Sequence, residues 1–406
     1  MSVLTVTTLF PNAAMPQHGA FVAARLDKLL DSRSVQAEVI APVPWIPPLV
    51  RYAPAGRLDL VPRLTARNGT KIWHPRYLVV PKIGMTLTPR TLYGAFRRTL
   101  ERLLAAGRRY DLIDAHYFYP DGVAAVRLAR EFAIPVVVTA RGTDVSLIPD
   151  FAGPRRMILD AAAKADGLVT VCQALKDRLV ELGVAAERVT VLRNGVDLDL
   201  FKPIDREQAR KGLGLTRTTL LSVGWLIPRK GHDHVIRALR LLPDTDLLIA
   251  GTGPEHAYLE MLAKHSGVAD RVRFLGTLSA TELAKVYGAA DALVLASSRE
   301  GWANVLLESM ACGTPVVASA VWGTPEVVAE PAAGMLIPRI DAEAIAAAVR
   351  KLLEAGHDRA ATRRYAERFS WDATTKGQLD LFRSVVSRRR SRASSADADP
   401  PPLGQL

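Results

Sequence analysis

Two glutamates, Glu300 and Glu308, stand inside the stretch Arg299–Pro315, which reads R-E-G-W-A-N-V-L-L-E-S-M-A-C-G-T-P. The apolar run Ala292–Ala296 before it reads as a buried parallel strand, and Pro315–Ala318 after it reads as a second. The pattern between them predicts a helix from about Asn304 to Cys312, with Gly313 suited to a left-handed residue just past its end. Glu300 then falls in the loop at the carboxyl end of a strand, and Glu308 falls a turn or so inside the helix. The first turns of a helix offer unpaired N–H groups and the positive end of the dipole, so a phosphate is the natural ligand there. One carboxylate beside such a site can accept hydrogen bonds from sugar hydroxyls, and the other from a ribose. The plain alternative is an ordinary βαβ unit with two solvated glutamates, and the spacing alone favours it.

The surrounding residues tip the balance. The helix is followed by A-x-G-T-P-V-V, and Glu300, Glu308, Ala311, Gly313, Thr314, Pro315, Val316 and Val317 together match one signature. That signature resembles the family-4 glycosyltransferases, retaining enzymes of the α/β fold called GT-B, in which two Rossmann-like domains face each other across a donor-binding cleft. A second stretch agrees. The strand Leu220–Val223 leads into Gly224-Trp225-Leu226-Ile227-Pro228-Arg229-Lys230-Gly231 and then a helix, His234–Leu241.

The resemblance implies roles residue by residue. Arg229 and Lys230 match the pair that the family sets on the donor diphosphate, where fixed cations stabilise charge that grows in the transition state. Glu308 would accept the ribose hydroxyls and Glu300 the donor-sugar hydroxyls. Backbone N–H groups of Trp302, Ala303, Asn304 and Val305 would meet the sugar and distal phosphate. The loop at Gly224 and the backbone near Leu278 would line the nucleotide. Gly19, in the first loop of the chain, matches a glycine that lets backbone approach the donor phosphates; a glycine that only permits a turn explains it as well. His116, Arg141 and Asp144 lie at carboxyl ends of predicted parallel strands, where open α/β sheets bind ligands. They are candidates for the acceptor side or the reaction centre. The family often has a histidine where this chain has Arg141, and arginine's fork of donors suits a phosphate instead.

Elements in chain order supply the scaffold. Val3–Leu9, Glu38–Pro42, Tyr110–Ala115, Ile134–Thr139, Gly167–Cys172 and Val189–Leu192 read as strands of a first Rossmann-like domain, residues 1–195. Residues 196–371 form a second, donor-binding domain, entered through Asn194-Gly195-Val196-Asp197. A helix from about 372 to 388 is expected to cross back onto the first domain. Residues 389–406 are Ser-, Ala-, Asp- and Pro-rich and read as a disordered tail. Phe96, Leu100, Leu103 and Leu104 recur at helical spacing among arginines in Arg97–Arg109. That pattern suits either a surface helix or one lying on anionic lipid. Trp45–Val50 is apolar and proline-broken, and either packs on the domain or touches lipid.

Composition narrows the field. The chain has 406 residues, 49% of them hydrophobic, and a formal charge of +12. No apolar run reaches the length of a bilayer span, and Met1–Leu9 lacks the pattern of a signal peptide. Cys172 and Cys312 show no metal-ligand spacing, so a cytoplasmic protein is expected, peripheral at the inner face of the cell membrane if lipid is engaged. The charge suits phosphorylated substrates or an anionic membrane surface. No nucleic-acid motif accompanies it, so no nucleic-acid partner is expected. Asp197-Leu198-Asp199 spells D-x-D in a linker, and the fold works without a metal, so no metal or other cofactor is expected beside the nucleotide-diphosphate sugar. Pro11–Leu29, Ala41–Trp45 and Asp114–Asp144 resemble bacterial exopolysaccharide or teichuronic-type transferases, which implies a glycan or lipid-diphosphate-linked acceptor. A sugar-nucleotide epimerase of the same fold and a non-enzymatic binder of anionic polymer are the rival readings.

Overall fold

The near-continuous apolar runs become strands buried on both faces, as parallel sheets covered by helices require. The computed structural model describes residues 1–46, 57–80 and 84–397. Its chain separates into two units. One comprises Met1–Arg193 with the chain from Ala373 onward, the other Asn194–Asp372.

The first unit contains β1 (Ser2–Val6), β2 (Gln36–Ile40), β3 (Val43–Trp45), β4 (Leu64–Arg67), β5 (Thr70–Trp73), β6 (Arg76–Leu78), β7 (Leu112–His116), β8 (Val136–Ala140), β9 (Gly167–Thr170) and β10 (Val189–Val191). Eight of these form one sheet in the order β10-β9-β8-β7-β1-β2-β5-β4. Its described pairings are parallel except β4 with β5. The antiparallel pair turns through Asn68-Gly69, both at positive φ, the chemistry of a tight hairpin. The second unit contains β11 (Thr218–Val223), β12 (Thr245–Ala250), β13 (Val272–Gly276), β14 (Ala292–Leu295), β15 (Val316–Ser319) and β16 (Gly334–Ile337). Their order is β13-β12-β11-β14-β15-β16, the doubly wound Rossmann arrangement. Strand order reverses between β1 and β7 in one unit and between β11 and β14 in the other, and crevices open there at the carboxyl ends. The loops leaving β11 and β14 hold Arg229, Lys230 and Glu300.

Helices cover the sheets. In the first unit Val3, Val39, Leu112 and Val137 pack with Leu26 and Leu29 of helix Ala20–Asp31 and with Phe382 and Val385 of the final helix. In the second, Leu220, Leu247 and Val294 pack with Val235, Ile236, Ile345 and Val349.

One expectation is revised and two meet partial answers. The final helix does not stop near 388 but runs Trp371–Asp397, so residues 389–397 are helical; residues 398–406 lie outside the described residues. Side chains of that helix hold it down: Arg390 pairs with Asp111 at 3.0 Å and Arg388 donates to the Asp166 carbonyl at 3.3 Å. Arginine is a good helix former, and Ser/Ala composition misread this stretch as tail. The basic amphipathic pattern becomes helix Thr88–Ala105, whose apolar residues Leu92, Phe96, Leu100 and Leu103 are buried in the unit, with Leu104 half-buried, so most of the apolar stripe packs inward. In Trp45–Val50, Trp45 ends β3, which pairs with β6, and its side chain is exposed; residues 47–50 lie outside the described residues.

Phe382 anchors the returning helix with no exposed surface. We expect Phe382→Ala to cost about 3–5 kcal/mol, the usual price of truncating a buried aromatic, read as a lowered urea midpoint for the first unit. An unchanged midpoint would remove this helix from the core.

Candidate active site

Backbone hydrogen bonds join the loops at the carboxyl edge of the second sheet. Gly224 N–H donates to the Ala250 carbonyl at 3.0 Å, Leu226 N–H to Thr252 at 2.9 Å and Gly251 N–H to Gly276 at 2.8 Å. The Gly224 loop is thereby tied to the loops after β12 and β13, the second of which carries the half-buried Leu278. On the other side Ser298 N–H donates to the Arg229 carbonyl at 2.9 Å, and the Arg229 guanidinium donates to the Arg299 carbonyl at 2.7 Å. Lys230 Nζ lies 2.6 Å from Glu300 Oε1. Gly224 has φ of 153°, a backbone conformation that L side chains rarely adopt, and a Cβ there would only touch the Lys230 stem at 3.4 Å, so backbone and not space calls for glycine. The structure thus brings Arg229, Lys230 and Glu300 together from two loops. Helix Asn304–Ala311 follows Glu300, and no side chain caps its N-terminus. Trp302 and Ala303 are buried, while Asn304 and Val305 are half-buried.

The two glutamates have opposite electrostatics. Burial would raise the Glu300 carboxyl, but the Lys230 ammonium and its hydrogen bond, with help from Ser297 and Arg229, hold it below its ordinary value. Glu300 is therefore an anion and acceptor-only. Burial pushes Glu308 up to about 7 against the opposing hydrogen bond from Tyr287, whose hydroxyl donates to Glu308 Oε2 at 3.0 Å. Among the described residues no cation offsets its desolvation, and further donors to its carboxylate would favour the anion.

In the first unit the predicted cluster assembles into a buried ladder. The Arg141 guanidinium lies 2.8 Å from His116 Nδ1, and His116 Nε2 lies 3.1 Å from Asp114 Oδ2. Gln378 Nε2 donates to the same oxygen at 3.2 Å and its Oε1 accepts from Arg25 Nε at 2.8 Å. A guanidinium only donates, so His116 Nδ1 carries a lone pair and its proton is on Nε2. Burial pushes this imidazole down to about 4 despite Asp114. Burial likewise lowers Arg141 well below its ordinary value.

This geometry sets His116 and Asp144 against Arg141. Asp144 has no exposed surface, and its carboxylate accepts from the N–H groups of Phe118 at 2.6 Å, Arg141 at 3.1 Å and Gly142 at 2.7 Å. His116 is 1% exposed. Both hold Arg141, the least buried of the three. Gly19 is explained by its own backbone: φ is +66°, and a Cβ would meet the Leu9 carbonyl carbon at 2.2 Å. Asp197 Oδ1 accepts from the N–H groups of Asp199 and Leu200, both at 3.1 Å, so the D-x-D stretch is a turn. Sequence reasoning missed Tyr287, Arg25, Asp114 and Gln378. Tyr287, Arg25 and Gln378 lie far along the chain from their partners, whereas Asp114 stands two residues before His116 on β7, a spacing that could have marked it.

Comparison with known proteins agrees with this geometry. The family described as Glycosyltransferase Family 4 matches residues 21–200 and that described as Glycosyl transferases group 1 matches residues 203–369. The D-inositol 3-phosphate glycosyltransferase of Saccharomonospora viridis is 35% identical over 319 residues, 70% of this chain and 72% of that protein. The protein of the same name from Mycobacterium marinum is 34% identical over 304 residues, 68% of this chain and 64% of that protein. Among solved structures, sucrose-phosphate synthase from Thermosynechococcus elongatus shares the fold at a TM-score of 0.78 and 22% identity, covering 95% of this chain and 99% of that one. Anabaena HepE in complex with UDP and glucose does so at 0.72 and 20% identity, covering 95% and 100%.

A histidine buried neutral takes up its proton on unfolding. His116 therefore contributes stability that is complete above about 6.5 and falls as pH drops toward about 4. Nitrogen-resolved NMR should show the His116 ring neutral, with the proton on Nε2, down to about pH 5. Titration near the ordinary histidine value would break the ladder as described.

Proposed function

The chain belongs to the family-4 glycosyltransferases of the GT-B fold, and on that premise we propose that it moves a sugar from a nucleotide-diphosphate sugar to an acceptor hydroxyl with retention of configuration. The observation that carries the proposal is the Lys230–Glu300 contact of 2.6 Å between the loops leaving β11 and β14, at the switch point of the sheet.

Each residue has a task in this reading. An ammonium has three donors and a carboxylate about four lone-pair sites, so one mutual hydrogen bond leaves both able to hold a ligand. Arg229 and Lys230 bind the diphosphate and stabilise the charge it gains as it leaves. Glu300 accepts from hydroxyls of the donor sugar, and Glu308 accepts from the ribose. The uncapped N-terminus of helix Asn304–Ala311 offers N–H groups to the sugar and distal phosphate. The bond from the anomeric carbon to the diphosphate oxygen breaks while the acceptor oxygen bonds to that carbon on the same face. The acceptor's proton passes to the leaving phosphate oxygen. The arginine–lysine pair supplies the positive charge, so transfer proceeds without an added metal ion.

For the acceptor we propose a glycan or lipid-diphosphate-linked sugar of bacterial cell-surface polysaccharide synthesis, met at the inner membrane face. Its support is the sequence resemblance in the first unit. A second reading, a phosphorylated polyol, is favoured by the names of the relatives, which act on D-inositol 3-phosphate. No helix among the described residues is long and apolar enough to cross a membrane. A panel of nucleotide sugars, incubated with membrane extract, with D-inositol 3-phosphate or with neither, separates these readings. Free nucleotide without transferred sugar in every arm would point to the epimerase reading and sink the transferase one.

Lys230→Ala should lower turnover by about two orders of magnitude, the scale of losing one preorganised charge stabiliser, with folding little changed. Normal turnover would take Lys230 out of the site. Glu300→Gln and Glu308→Gln should part company in calorimetry with the nucleoside diphosphate, carried out well above the Glu308 titration. Glu300→Gln should transfer sugar poorly yet bind nucleotide nearly as the parent does, because that ligand has no sugar for it to hold. Glu308→Gln should weaken the nucleotide itself. Equal losses of nucleotide affinity would overturn the assignment of one carboxylate to sugar and the other to ribose.

A further inference from the structure

The first unit contains a second concave site on the opposite edge of its sheet from Arg141. A cavity of about 690 Å³ opens at the amino ends of β8, β9 and β10, bounded by the final helix. Its apolar wall includes Val136, Leu381 and Val385, and its cations are Arg130, Lys164, Arg188, Arg388 and Arg389. Two carboxylates, Asp166 and Glu187, also line it, so positive charge prevails. The volume lies within the roughly 300–1,000 Å³ range of small-molecule sites.

These cations are poorly neutralised by the protein. Arg188 donates to the Ala165 carbonyl at 2.8 Å and Arg388 to the Asp166 carbonyl at 3.3 Å, contacts that orient a guanidinium without cancelling its charge. Lys164 shares the exposed Asp160 at 2.5 Å. Among the described residues no ion pair reaches Arg130 or Arg389. Asp166 is committed to the sheet, where its carboxylate accepts from Val136 N–H at 2.9 Å. The floor is fixed as well: a Cβ on Gly167 would lie 3.1 Å from a Val137 methyl and 3.3 Å from a Val385 methyl, so glycine lets the helix seat closely on β9. Arg130 and Lys164 also stand in the last turns of helices Val123–Glu131 and Ala152–Lys164, where cations complement the dipole. That accounts for two of the five. The other three line the same cavity against mutual repulsion.

We propose that this cavity binds a small phosphate-bearing anion, at a site separate from the nucleotide loops of the second unit. Arginine forks match phosphate oxygens in geometry and charge. A walled cavity suits a discrete ligand better than a flat membrane face. The inference does not rest on the transferase reading and survives its failure.

Pyrophosphate is the probe, titrated calorimetrically into the full chain carrying Lys230→Ala, which weakens the nucleotide site. Binding should persist there and fall about tenfold or more when Arg130→Glu and Arg389→Glu are added, the scale of losing one charged hydrogen bond. Arg130→Gln with Arg389→Gln serves if the charge reversal disturbs folding, judged by the melting curve. A parallel arm uses phosphatidylglycerol and phosphatidylcholine vesicles. Pyrophosphate binding without vesicle binding identifies a soluble phosphate as the source. Binding of pyrophosphate and of phosphatidylglycerol vesicles, both lost with the arginines, identifies a lipid headgroup. No pyrophosphate binding, binding indifferent to the arginine changes, or vesicle binding alone would overturn the proposal.

Discussion

Parallel strands cannot be joined by a tight turn. Each must be reached by a crossover that runs back over a face of the sheet, and right-handed crossovers alone pack well. This constraint organises both units. Helices cover both faces, so strands such as β8 and β14 are buried throughout. In the two large sheets every strand but β4 also points its carboxyl end toward the same edge. Where the order reverses, two adjacent loops diverge and leave a crevice. In the second unit those loops carry Lys230 and Glu300, 70 residues apart in sequence and 2.6 Å apart in space.

A crevice built this way has polar side chains with dry surroundings, and the protein treats its carboxylates differently. Glu300 has a cation at hydrogen-bond distance, and its desolvation is outweighed by that charge and the hydrogen bonds together. Glu308, among the described residues, has the Tyr287 hydroxyl and no cation, and is pushed up to about 7. In the first unit Asp121 is an extreme case: burial raises it to about 8 although Thr7 and Thr8 donate to it. Asp114, between His116 and Arg25, is held low. The presence or absence of a cation within reach sorts these groups, because burial alone always favours the neutral acid.

The first unit's ladder from Arg25 through Gln378, Asp114 and His116 to Arg141 runs through buried ground. Removing any one member would leave a buried group without its partner, a cost well above the net worth of a single hydrogen bond. Gln378 belongs to the returning helix, so the chain's last element completes a network that begins in its first helix. The unit is therefore closed by polar pairing as well as by the packing of Phe382.

Much of this was legible in the residues. Strand-length apolar runs, the helix ended by Gly313 and the spacing of Glu300 and Glu308 placed both carboxylates on the edge they occupy, because period and helix stops are local properties. The Arg229–Lys230 loop was legible for the same reason. The last helix was misread past Arg388, since composition says little about a segment whose arginines find partners in Asp111 and Asp166. The burial of His116 and Asp144 and their contacts with Arg141 were invisible in sequence. So were Tyr287 on Glu308 and Gln378 on Asp114. Local sequence determined which elements form and which chemistry-bearing residues stand at their ends. Tertiary structure alone decided which of those residues meet, and so which are charged, because desolvation and Coulombic pairing depend on neighbours that the chain brings from far away.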